Sequence, residues 1–122
     1  MKKIAIIYHS GYGHTSKQSE AILKGAQEIA GVEAKLIAIN SEGNLQDAEW
    51  ESLAEANTIV FGAPTYMGGA SWQFKRFAGA SSKPWFTQGW KDKLAAGFTN
   101  SASMNGDKLS TLHYFVTVQT SM

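Results

Sequence analysis

The sequence predicts an α/β fold built on a parallel, doubly wound sheet. Three observations carry that expectation. Apolar runs of strand length alternate with helix-period segments four times along the chain. The first run, "IAIIY", is continuous rather than alternating, the pattern of a strand covered on both faces. Loops dense in glycine and hydroxyl residues follow the first, third and fourth runs. Consecutive βα units of this kind wind into one parallel sheet with helices on its faces.

Each element has its own local reason. Ile4–Tyr8 is the first strand. From Thr15 to Ala30 the residues Ile22, Ala26 and Ile29 recur at helical spacing, with Lys17, Lys24 and Glu28 between them. "VEAKLIAI", Val32–Ile39, alternates and then runs apolar, which predicts a second strand. "SEGN" is a turn, and Gln46–Ala56 is a short acidic helix with Trp50 and Leu53 inward. Asn57–Pro64 is the third strand, which Pro64 is expected to end. Ser71–Ala80 is helical through Trp72, Phe74 and Phe77, and Lys83–Asp92 is a tryptophan-containing loop. Lys93–Asn100 is the fourth strand, and Asp107–Val118 a helix through Leu109, Leu112 and Val116.

Composition narrows the function. One hundred and twenty-two residues suit a single domain that buries about two thirds of its unfolded surface. Eleven Lys plus Arg against ten Asp plus Glu give a net charge of +1 with no concentrated basic face, which argues against nucleic acid as a partner. Without cysteine there is no disulfide framework, thiolate metal site or cysteine nucleophile. The N-terminal apolar run of five residues is too short for a signal core or a membrane span. A cytoplasmic domain that does not enter the membrane is expected.

In an open α/β sheet, ligands bind beyond the carboxyl ends of the strands, where the strand order switches. The loops to read are therefore "HSGYGHTS", "GAPTYMGGAS" and "TNSASMNGD". In the first, unpaired N–H groups at the start of a helix favour an anion. Gly11 and Gly13 let that backbone approach closely, Ser10 and Thr15 add hydroxyls, and His14 adds a ring donor. No lysine or arginine stands between Ser10 and Ser16, so a phosphate there would be held by neutral dipoles. The competing reading of the same loop is structural, with Ser10 capping the helix and the glycines making a turn.

No segment matches the nucleoside-triphosphate loop. The dinucleotide fingerprint is met at Gly11 and Gly13 but has Ser16 in third place, and the second strand ends at Asn40 rather than at an acid. A nucleophile elbow would need glycine where Tyr8 stands. His9, His14 and His113 have no ligand spacing, so no metal is expected.

"HSGYGHT", "GAPTYMGG" and "FTNSASMNGD", in that order and spacing, resemble the flavodoxin-like FMN-dependent NAD(P)H:quinone oxidoreductases, the group first named for tryptophan-repressor binding. The resemblance covers essentially the whole chain. It implies a three-layer αβα domain with strand order 2-1-3-4. It also implies an FMN site, with Ser10, Gly11, Tyr12, Gly13, His14 and Thr15 around the phosphate. Pro64, Thr65, Tyr66, Met67 and Gly68 would run along the isoalloxazine ring, with Gly69 also allowing close approach. Asn100, Ser101, Ala102, Ser103 and Asn105 would flank its other side. Tyr12 and Trp85 would border the substrate pocket, Trp85 from a neighbouring subunit. NAD(P)H would donate hydride and a quinone would accept two electrons, so no side chain is assigned as catalytic.

Two other functions compete. An electron-carrying flavodoxin shares the fold, but such carriers resemble one another in a strongly acidic surface, which a +1 chain lacks. A non-catalytic interaction module is the other. The family sheet has five strands, whereas this sequence stops after its fourth helix, so residues 1–122 are expected to form one flavodoxin-like domain lacking its last βα unit. The outer edge of the fourth strand and apolar side chains of the first and third strands would then be exposed, favouring homo-oligomers.

Overall fold

The computed structural model describes residues 2–102 and 107–120, with the side chains at 85, 86, 119 and 120 outside that description. The elements in chain order are β1 (Lys2–Tyr8), α1 (His14–Gln27), β2 (Val32–Ala38), α2 (Asp47–Glu55), β3 (Thr58–Tyr66), β4 (Gly69–Ala70), α3 (Trp72–Ala80), α4 (Ser82–Thr87), β5 (Leu94–Asn100) and α5 (Leu109–Thr120).

Four strands form a parallel sheet in the order β2-β1-β3-β5. This is the predicted order, because the predicted fourth strand is β5. Ile6 pairs with Leu36 of β2 on one side and Val60 of β3 on the other, which puts β1 and β3 at the centre. The order reverses between them. One face carries Ala5, Ile7, Ile37, Ile59, Phe61 and Ala63 into the main core, under α2, α3 and α5. There Phe61, Phe74, Phe77 and Phe115 pack ring against ring. The other face carries Ile6, fully buried, under α1. Helices on both faces make three layers.

Local chemistry explains the helix that starts best. α2 opens with a capping box: the Gln46 N–H donates to Glu49 Oε1 at 2.8 Å, and Asp47 and Glu49 lie in the positive first turn.

Three expectations need correction. Pro64 does not end the third strand, which runs on to Tyr66. By Pro64 the strand has a parallel neighbour only on the β5 side, since β1 stops at Tyr8 opposite Gly62, and a missing N–H is tolerated at such an edge. The loop Lys83–Asp92 holds a short helix at its start, α4, whose first turn accepts Pro84 because those N–H groups have no intrahelical acceptor. The exposed apolar surface also lies elsewhere than expected. Ile4 of β1 and Val60 of β3 are half-buried, whereas Leu94 of β5 is 71% exposed and Leu112 and Val116 of α5 are exposed as well. Phe98 folds over Gly62 and covers part of the central strands.

Candidate functional site

A cavity of about 530 Å³ opens at the carboxyl ends of the strands, between β1 and β3. Gly11, Tyr12, His14 and Thr15 line it from the first loop, Pro64, Thr65 and Tyr66 from β3, and Asn100, Ser101 and Ala102 from the end of β5. A second cavity of about 500 Å³, between α3, α4 and α5, has none of these loops in its walls.

The first loop forms a cradle of free donors. Ser10 Oγ accepts from the N–H groups of Gly13 (3.1 Å) and Ser16 (3.2 Å), so it caps α1 as the structural reading held. That does not exhaust the loop. Among the described residues, the backbone N–H groups of Gly11, Tyr12, His14 and Thr15 have no protein acceptor. Gly13, the N-cap of α1, adopts φ 91°, a left-handed backbone that side chains disfavour. Ser10 and Gly13 shape the turn and do not line the cavity.

The second wall is a hairpin. Met67 and Gly68, both at positive φ (50° and 79°), form a two-residue turn that pairs Tyr66 with Gly69 and Thr65 with Ala70. The turn brings Tyr66 over Gly11, where a Cβ would collide with its hydroxyl. Tyr66 also meets Tyr12 edge to face, with ring centroids 6.0 Å apart. Burial, and then the neighbouring Tyr12, raise the Tyr66 hydroxyl pKa above its ordinary value. Met67 and Gly68 sit at the tip, outside the cavity wall. Thr65 is buried, and its hydroxyl lies 2.8 Å from Thr111 of α5 and 2.7 Å from Thr99.

The third wall is the end of β5. The Asn100 side chain reaches back to α1, where Nδ2 donates to Thr15 Oγ1 (2.9 Å) and Gln18 Oε1 (3.0 Å). Ser101 bonds Asp107, which also pairs with Lys108. Ser103 and Asn105 lie outside the described residues. Trp85 belongs to α4, and no described residue of α4 lines this cavity.

Three residues that tie these walls together, His9, Ser71 and Gln18, carry no ligand signal in the sequence. His9 has no metal-ligand spacing in the sequence, yet it is buried and its Nδ1 lies 2.8 Å from Ser71 Oγ. Gln18 lies one turn beyond the signature loop and looks in sequence like any polar helix residue. Only the placing of α1 against β5 shows what it touches.

The parallel sheet, with a donor cradle and two tyrosines at its switch point, defines a doubly wound α/β domain of the flavodoxin-like kind. The chain belongs to the flavodoxin-like family that includes the WrbA-like proteins. A WrbA-like flavodoxin from Agrobacterium tumefaciens superposes with a TM-score of 0.92 at 54% identity, over 99% of this chain and 73% of that one. Flavodoxin FldP of Pseudomonas aeruginosa is 52% identical over 112 residues, covering 92% of this chain and 58% of FldP. An NAD(P)H dehydrogenase (quinone) of Trichlorobacter lovleyi is 29% identical, covering 94% of this chain and 65% of that protein. The chain thus spans less than two thirds of the length of these two curated relatives. No family model matches it. No helix among the described residues is long and apolar enough to cross a membrane.

Proposed function

We propose that this protein is an FMN-dependent oxidoreductase that passes electrons from NAD(P)H to a quinone. The observation that carries the reading is the cradle of four free N–H groups at the start of α1, opening into a cavity walled by tyrosines. Its donors fit the phosphate of FMN. Gly11 lets Tyr66 close over the loop, where a Cβ would collide with its hydroxyl, and the cavity is of a size for a flavin ring. Flavodoxin and quinone dehydrogenase names among the relatives support the same group.

Bound FMN would supply hydride acceptance and two-electron delivery, chemistry that belongs to the cofactor. The chain's own residues bind and orient. Gly11, Tyr12, His14 and Thr15 would hold the phosphate in the turn that Ser10 and Gly13 shape. Pro64, Thr65 and Tyr66 would border one side of the ring with Met67 and Gly68 at the hairpin tip, and Asn100 to Asn105 would offer amides and hydroxyls to its polar edge. Tyr12, which is 83% exposed, would border the nicotinamide slot. Trp85 would reach that slot only from a second copy. The same reading takes residues 1–122 as one domain, cytoplasmic, associating through the open side of β5.

A specific observation favours a second reading. The relative at 52% identity is a flavodoxin, so electron carriage without nicotinamide turnover is the alternative. An FMN-free interaction module is a third. Anaerobic stopped flow of the FMN-loaded protein separates them. The proposal expects NADH or NADPH to bleach the flavin and benzoquinone to restore it, with one nicotinamide consumed per quinone. A flavin that binds but never oxidises nicotinamide supports the carrier.

A further inference from the structure

Gln18 stands outside every assigned role, yet it joins two walls of the cavity. Its Nε2 donates to the Thr99 carbonyl at 3.4 Å, and its Oε1 accepts from Asn100 Nδ2 at 3.0 Å. The second N–H of that same Asn100 nitrogen goes to Thr15 Oγ1 at 2.9 Å. Both Asn100 protons are therefore spent, and Asn100 Oδ1 has no partner among the described residues. Thr15 Oγ1 receives a hydrogen bond, so its single proton remains to be given.

We infer that Gln18 is a positioning residue that sets the polarity of the anion cradle, an inference that rests on the FMN reading above. An asparagine amide has two orientations. With Nδ2 toward α1, Thr15 is an acceptor from the protein and a donor to the ligand. With the amide flipped, Oδ1 would take the Thr15 proton and the cradle would lose its hydroxyl donor. The flipped state also sets Asn100 Oδ1 against Gln18 Oε1, two acceptors without a proton between them. Gln18 cannot relieve that clash by turning its own amide, because its Nε2 is committed to the Thr99 carbonyl. One side chain thereby fixes a second, and the second frees the proton of a third. Since the cradle contains no lysine or arginine, a single hydroxyl donor counts for more there than it would beside a cation.

The role is specific to the phosphate end of the ligand, and that gives the test. Dissociation constants for FMN and for riboflavin, which lacks the phosphate, are measured by flavin fluorescence for the wild type, Gln18→Met, Thr15→Val and the double variant. Methionine keeps the helix propensity and length of glutamine, and Gln18→Ala serves if the first variant does not fold. A lost hydrogen bond to a charged group corresponds to about a tenfold change in affinity. Gln18→Met is expected to weaken FMN about tenfold and riboflavin less than about twofold. The double variant should bind FMN no more weakly than Thr15→Val alone, because both changes remove the same donor. Equal losses for the two flavins, multiplicative losses, or unchanged FMN affinity overturn the role of Gln18. A wild type that does not prefer FMN to riboflavin overturns the phosphate reading beneath it.

Discussion

His9 and Ser71, separated by 62 positions in sequence, share a buried hydrogen bond of 2.8 Å. The bond ties the residue before the glycine-containing loop to the residue that opens α3, and so joins β1 to the far side of the Tyr66 hairpin. Burial lowers the His9 pKa from 6.5, so the folded protein favours the neutral ring.

That depression has a sign. Between the native pKa and 6.5 the unfolded chain binds a proton that the folded chain refuses, so stability rises with pH across this window. The His9 contribution is fully present above 6.5 and is lost as pH falls through the lower native value. Urea unfolding should show a midpoint that drops between about pH 7 and pH 5, and His9→Asn should flatten the drop. An equally steep drop in His9→Asn would show that other groups carry it.

Gly13→Val should weaken FMN binding at least tenfold, about 1.4 kcal/mol. Valine at φ 91° is strained by about 1–3 kcal/mol, and relieving the strain turns the neighbouring N–H groups away from the cradle. Titration of a folded Gly13→Val protein with FMN is the check.

Phe61 is 1% exposed and contacts the rings of Phe74, Phe77 and Phe115 at centroid distances of 6.0, 6.4 and 6.5 Å. It comes from β3, and its partners come from α3 and α5, so it holds three elements together. Phe61→Ala should cost about 3–5 kcal/mol, read as a lower urea midpoint with an unchanged slope.

β5 has no strand partner on its outer side among the described residues, and "LAAGFTN" carries neither charge nor proline. Such an edge recruits other strands, and exposed Leu94, Leu112 and Val116 flank it with apolar surface. Residues 1–122 by themselves should sediment as dimers or larger species at micromolar concentration, and Ala96→Lys on the exposed edge should shift them toward monomer. Unsubstituted residues 1–122 that stay monomeric would contradict the proposed association.

Much of the fold was legible because hydrophobic runs and turn residues report directly on burial. Ile4–Tyr8 could only be a covered strand, and the spacing through Phe74 and Phe77 could only be a buried helix face. The short α4 was not legible, since a proline inside six residues reads as a breaker until its place in the first turn is known. At the candidate site the sequence pointed to the loops but not to the side chains linking them. His9 to Ser71 and Gln18 to Asn100 are contacts between residues 62 and 82 positions apart, and no local pattern encodes such a distance. The Tyr66 approach to Gly11 depends likewise on the Met67–Gly68 turn, whose paired positive φ values a glycine pair alone does not reveal.

The central claim is that the loop from Ser10 to Thr15 and the walls facing it form an FMN site. The most direct measurement is a visible absorption titration of the purified protein with FMN. The account predicts saturation at one flavin per chain, a perturbed flavin band, and a dissociation constant of about 1 μM or tighter, within the affinity that several backbone N–H bonds to a phosphate supply. A flavin spectrum identical to that of free FMN at every ratio, with no protein-bound fraction, would contradict it.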